Sequence, residues 1–134
     1  MDNFNKKIKR DDLLYPDLSY KIVGALFEVF KQIGSGFKEK HYQNMVAIEL
    51  EKNDLHFKKE LFVPLMYKDK KIGSYFFDFL IEDKIVLELK RKNDFSRKDI
   101  EQIYSYMIKN NLKLGILANF TSSGVRFKRI VNLK

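Results

Sequence analysis

Cysteine is absent from this 134-residue chain. Disulfides, zinc–thiolate sites, iron–sulfur clusters and thiol nucleophiles are therefore excluded, and any metal must sit on oxygen or imidazole ligands. Histidine is nearly absent: His41 and His56 stand far apart, with no histidine partner at helical i, i+4 spacing, so an imidazole metal site finds no support. No stretch approaches the ~18 uninterrupted apolar residues of a membrane span. The opening MDNFNKKIKRDD also lacks the apolar segment of a signal peptide, so no membrane partner and a cytoplasmic location are expected. There is no repeat or low-complexity tract. Gly34-Ser35-Gly36 lacks the Lys-Ser/Thr continuation of a phosphate-cradling loop and follows a helical pattern, so it reads as a helix break.

What the chain does have is a large apolar share: 45% hydrophobic residues, with twelve Phe and seven Tyr. That is too apolar for a disordered chain, and the length suits one domain over residues 1–134, with a polar N-terminal arm at 1–16. Lys and Arg number 26 against 18 Asp and Glu, a formal charge of +8. Such an excess concentrates polyanions such as nucleic acid near the surface, although a merely soluble, Lys-rich domain shows the same balance.

The periodicity alternates between helix and strand. DLSYKIVGALFEVFKQIG carries Ile22, Val23, Leu26, Phe27, Phe30 and Ile33 at helical spacing, with Asp17 or Ser19 as its cap. FKEKHYQNMVAIELEKND predicts a second helix with Tyr42, Met45, Val46, Ile48 and Leu50 inward, stopping at Asn53-Asp54. From Phe57 the pattern becomes strand-like, predicting three antiparallel strands with turns at Lys68 to Lys71 and Glu82 to Lys84. SRKDIEQIYSYMIKN predicts a third helix, capped by Ser96 and burying Ile100, Ile103, Tyr104 and Met107. LKLGILANF fits a buried strand and GVRFKRIVNL an edge strand. The fold class is α/β (α+β), a mixed central β-sheet flanked by α-helices.

Three charged residues interrupt two of these strands, in DFLIEDKIVLELK. Glu88 and Lys90 leave the same face, and Ile85, Leu87 and Leu89 leave the other. If the loop is the odd one, Glu82-Asp83-Lys84, Ile81 pairs with Ile85, Phe79 with Leu87, and Asp78 lies across from Glu88. A two-residue turn at Glu82-Asp83 would instead send the two carboxylates to opposite faces. In the odd register their Cβ atoms stand roughly 5 Å apart, a like-charge pairing that destabilises a sheet unless a cation intervenes. Two carboxylates with a backbone carbonyl and waters suit Mg²⁺ or Mn²⁺ and suit zinc poorly. Lys90 is then placed to orient or deprotonate an attacking water, or simply to neutralise one carboxylate as an ion pair.

Asp78 followed by Glu88-Leu89-Lys90 resembles the D…(E)xK signature of the PD-(D/E)XK nuclease superfamily. GFKEKHY, with Gly36, Glu39 and Tyr42, is similar to the motif of the GxxExxY family assigned to that superfamily, and the likeness runs from about Ser19 to Val131. The resemblance implies a restriction-endonuclease-like core in which Glu39 joins Asp78 and Glu88 at the metal, directly or through water, while Tyr42 packs in the core. Gln102 and Tyr106 share one side of the third helix, and Q-x-x-x-Y resembles the extra motif of the exonuclease-like branch, in which the glutamine supports the metal site or a phosphate. Phe77 departs from the polar or basic residue often found just before the aspartate; it is expected to face away from Asp78.

The expected function is therefore divalent-metal-dependent hydrolysis of phosphodiester bonds in nucleic acid, DNA ahead of RNA. Catalytic roles fall to Asp78, Glu88, Lys90, Glu39 and Gln102, and metal binding to Asp78, Glu88 and Glu39. Lys90, Arg91, Lys92, Arg97, Lys98 and Tyr106 are the expected nucleic-acid contacts, with Arg126 to Arg129 as a further basic stretch. So small a domain is expected to use a homodimer or a protein partner to hold substrate. Two alternatives carry different predictions: a basic nucleic-acid-binding module that keeps the fold without catalysis, and a metal that only holds the hairpin together.

Overall fold

The computed structural model describes residues 14–134. Most of the expected polar arm lies outside the described residues, and Pro16 already belongs to the first helix, α1 (Pro16–Ile33). Proline is favoured there because the first helical N–H has no intrahelical acceptor to lose. The expected side-chain cap is not used: Tyr15 precedes the helix with φ 54 and no capping bond, Asp17 lies in the first turn and Ser19 is buried. Next come α2 (Glu39–Lys52), β1 (Phe57–Tyr67), β2 (Lys70–Ile81), β3 (Ile85–Lys90), α3 (Arg97–Lys109), β4 (Leu114–Thr121) and β5 (Gly124–Val131).

The five strands form one sheet in the order β1-β2-β3-β4-β5. Neighbours are antiparallel except β3 and β4, which run parallel and are joined through α3, as a parallel pair requires. Strand alternation sorts the core into two layers. Ile85, Leu87 and Leu89 of β3 and Leu114, Ile116 and Ala118 of β4 pack with Ile22, Leu26, Val46 and Leu50 of α1 and α2. Val86 and Leu117 point the other way, onto Ile103 and Met107 of α3. Gly115 lets α3 lie close on β4: a Cβ there would come within 2.7 Å of Ile103 Cγ2 and 2.9 Å of Met107 Sδ.

The β2–β3 loop is the odd one, with Glu82 and Asp83 both in the left-handed region at φ 53 and 55 and the Lys84 N–H bonded to the Ile81 carbonyl. The resulting pairs are Ile81 with Ile85 and Phe79 with Leu87. The β1–β2 turn is tighter than expected, a two-residue Lys68-Asp69 turn with φ 48 and 64.

Both strands of this hairpin roll over at one level. Phe57 and Phe79 belong to the layer with α1 and α2, whereas Leu61, Val63 and Phe77 belong to the layer with α3, although each set has the same parity along its strand. The roll falls at Glu60, held at φ 54, and at Asp78, which lies between the paired positions Lys59–Phe79 and Leu61–Phe77.

Two helix faces differ from the apolar stripes read in the sequence. In α1 the buried side is Ile22, Ala25, Leu26 and Val29, which leaves Phe27 and Ile33 exposed. In α2 the buried side is Tyr42, Gln43, Val46, Ala47 and Leu50; Ile48 faces out and a glutamine faces in. In both helices the fully buried side follows an i, i+3, i+4, i+7 stripe, and apolar residues off that stripe are covered only in part, as where Phe27 meets the edge of Phe127.

Candidate active site

The break before α2 sets the entrance. Gly36 adopts φ 95, which favours glycine, and the Tyr42 hydroxyl donates to the Gly34 carbonyl at 2.8 Å while its ring stacks on Phe120 at 4.1 Å. Tyr42 therefore packs in the core, and the anchored loop places Glu39 at the first position of α2. One turn on, Gln43 points the same way. Its Nε2 donates to Asp78 Oδ1 at 3.0 Å, and its Oε1 is buried with no protein partner.

Asp78 and Glu88 interlock across β2 and β3. The Asp78 N–H donates to Glu88 Oε1 at 3.0 Å, and the Leu89 N–H donates to Asp78 Oδ2 at 2.7 Å. Two steps along β3, Lys90 Nζ lies 3.7 Å from Glu88 Oε2. Asp78, Glu39, Gln43, Lys40, Glu60 and Phe76 line an open pocket of about 310 Å³; Glu88 and Lys90 do not line it.

Burial and the neighbouring Asp78 carboxylate push the Glu88 carboxyl up to about 9, which favours a proton on the acidic pair where no cation offsets its charge. Burial alone would lower the Lys90 pKa, but the combined attraction of Glu88, Glu39, Asp99 and Asp78 outweighs it and raises it, so Lys90 stays a cation. A crowded carboxylate pair and a buried, unpartnered amide oxygen form an all-oxygen donor set, which fits a hard divalent cation with its waters. Among the described residues no three Asp, Glu, His or Cys side chains close around one point. Glu39 shares the pocket with Asp78 without completing a three-carboxylate cage.

The remaining candidates separate. Gln102 is half-buried on α3 and makes no hydrogen bond to either carboxylate among the described residues. Tyr106 is half-buried against Phe77, with ring centroids 5.0 Å apart, so its ring is used in packing. Phe77 sits with α3, away from the pocket. Lys92 pairs with the buried Asp99 at 2.8 Å and Arg97 with Glu101 at 2.9 Å, while Arg91 and Lys98 are exposed. The loop after Lys90 is tied down by Asn119 Nδ2 on the Asp94 carbonyl and by Arg126 on the Asn93 carbonyl.

Gln43 is the site residue that the sequence reading passed over. The available signal was its spacing, four residues after Glu39 and hence on the same side of the helix.

A family model for the PD-(D/E)XK nuclease superfamily matches residues 16–130. The chain belongs to that superfamily. A restriction-endonuclease-like core accounts for the mixed sheet between helices. No curated protein matches the chain. Among solved structures, the crystal structure of SSO0001 aligns with a TM-score of 0.51 at 18% identity, covering 69% of this chain and 50% of that one. This PD-(D/E)XK chain thus spans half the length of that protein, and the likeness concerns the fold alone. Among the described residues, no helix is long and apolar enough to cross a membrane.

Proposed function

We propose that this chain is a divalent-metal-dependent nuclease that hydrolyses phosphodiester bonds in DNA. The observation that carries the reading is the interlock of Asp78 with Glu88, with Lys90 two residues along the same strand. Their roles differ. Asp78 and Glu88 would hold Mg²⁺ or Mn²⁺, with Glu39 of the same pocket as a further acidic group for the ion. Gln43 fixes the rotation of the Asp78 carboxylate, and its buried Oε1 is left as an acceptor without a protein partner. When bound, the ion supplies Lewis-acid polarisation of the phosphate and a lowered pKa for the attacking water.

Lys90 orients that water and offsets charge on the phosphate. With no cation bound, the surrounding acids keep the Lys90 ammonium protonated, and a divalent cation on those acids would oppose that effect. Arg91 and Lys98, both exposed, draw the strand in, and the +8 charge raises the encounter rate.

The test uses wild type, Asp78→Ala and Lys90→Ala on end-labelled single- and double-stranded DNA and RNA, with Mg²⁺, Mn²⁺ or EDTA. Cleavage of DNA by wild type alone, abolished by EDTA, is the expected result. Equal, salt-dependent binding by all three proteins without any cutting would replace the nuclease with a binding module.

A further inference from the structure

The hairpin beside the site extends past the body of the sheet. β3 pairs with β2 only at Phe79 to Ile81, whereas β1 and β2 stay paired out to Tyr67 and Lys70. Because both strands roll at Glu60 and Asp78, the overhang turns Leu61, Val63, Tyr75 and Phe77 toward α3. Phe62 and Phe76 are left on the opposite face. These two are direct cross-strand partners with ring centroids 5.6 Å apart, and they remain 47% and 57% exposed. Phe76 lines the same pocket as Asp78, Glu39 and Gln43.

An aromatic pair left open to water beside a charged pocket is costly for a soluble domain unless a ligand covers it. The ligand must have a flat, polarisable face and must carry negative charge close by. Lys71 Nζ lies 4.8 Å from the Phe62 ring centroid and supplies a cation beside the rings, whereas Lys40 on the pocket wall is paired with Glu60. Phe76 precedes Asp78 by two residues of strand, a rise of about 6.6 Å. That separation puts the ring beside a nucleotide whose phosphate lies at the carboxylates. A paired base inside a duplex has both faces covered by its neighbours and cannot present one to a side chain.

We infer that Phe76, backed by Phe62, is a stacking platform for an unpaired nucleobase adjoining the scissile phosphate, so the substrate is single-stranded or frayed where it is cut. The inference rests on the nucleic-acid reading given above and adds strandedness to it. Stacking tolerates any base, so the platform selects unpaired strand without selecting sequence.

Binding is measured in EDTA, where no cutting occurs, by anisotropy of labelled oligonucleotides. The ligands are a single strand, a blunt duplex of equal length, and the same single strand built from abasic sugars. Phe76→Ala and Phe76→Leu are expected to weaken the single strand about 5- to 100-fold and to leave the duplex and abasic ligands within about twofold. Phe76→Trp is expected to hold the single strand as tightly as wild type, with its fluorescence quenched on binding. Equal losses on all three ligands, no loss on any, or Phe76→Leu binding like wild type would overturn the platform. A wild-type dimer in sedimentation that Phe76→Ala breaks would overturn it too, because a second copy would then be what covers the rings. The two readings fail separately. Single-strand binding that depends on Phe76 without metal-dependent cleavage removes the nuclease and keeps the platform; cleavage of duplex and single strand alike, unchanged in Phe76→Ala, does the reverse.

Discussion

Asp78 and Glu88 take over each other's strand hydrogen bonds: the Asp78 N–H is held by the Glu88 carboxylate, and the Asp78 carboxylate holds the N–H of Leu89. The regular pairing of β2 with β3 ends one residue earlier, at Phe79 and Leu87. Here the side chains continue the sheet where the backbones part, and the second oxygen of each acid faces another side chain, Gln43 at Asp78 and Lys90 at Glu88. Buried donors are satisfied without using up the acidic groups.

Removing either acid should therefore affect chemistry and local structure differently. Asp78→Asn keeps an oxygen for the Leu89 N–H, loses the charge and turns an amide donor toward Gln43, whose amide must flip to accept it, so cleavage is expected to fall ~100-fold or more with a smaller stability loss than in Asp78→Ala. Asp78→Ala also strands the Leu89 donor and is expected to lose about 1–3 kcal/mol of stability. Parallel cleavage assays and urea titrations separate the two effects.

Gln43→Leu keeps the bulk of the side chain and deletes its bond to Asp78. Metal affinity or cleavage is expected to drop about 10- to 100-fold, as for other residues that orient a metal ligand. The readout is the Mn²⁺ concentration for half-maximal cleavage. A midpoint equal to that of wild type would leave Gln43 as a packing residue only.

Glu88 gives the protein an unusual pH dependence. Its carboxyl is raised from the ordinary 4.5 to about 9, so between those values the native state keeps a proton that the unfolded chain has released. Native stability in EDTA must fall as pH rises through this window, by at most about 1.4 kcal/mol per pH unit. Urea unfolding at pH 5, 7 and 9 should show this slope in wild type and a flatter one in Glu88→Gln. A saturating divalent cation should oppose the fall by stabilising the charged pair.

Gly115→Ala tests how α3 is seated. The added methyl meets Ile103 and Met107 closer than van der Waals contact allows, and a loss of about 1–3 kcal/mol is expected in urea titration. An unchanged unfolding midpoint would mean that the two side chains move aside freely.

The parts of this molecule that were legible in the sequence are those governed by strict parity or by local chemistry. The odd loop at Glu82 to Lys84 placed Asp78 across from Glu88, and Ser96 accepts the Asp99 N–H at 3.3 Å as the capping pattern implied. What stayed hidden depends on tertiary packing. The roll of the hairpin is centred on a glutamate at φ 54, and glutamate, unlike glycine or asparagine, gives no sequence signal for that conformation. Gln43 was missed because an apolar stripe counts hydrophobic residues, and a polar side chain turned inward toward a carboxylate is invisible to it. Gln102 was singled out with Tyr106 by the Q-x-x-x-Y pattern; the structure places both half-buried on α3, with Tyr106 packed on Phe77.

The order of strands across the sheet is the order in which the chain supplies them. No strand has to be threaded between two that already exist, so each can be laid down against the edge left by its predecessor. The helix that reaches the acidic pair, α2, and both strands that carry it precede α3 in the chain. During synthesis every acidic and amide group of the pocket therefore emerges before the last helix and hairpin, whose contribution is to close the far side of the sheet and shield its growing edge from other chains.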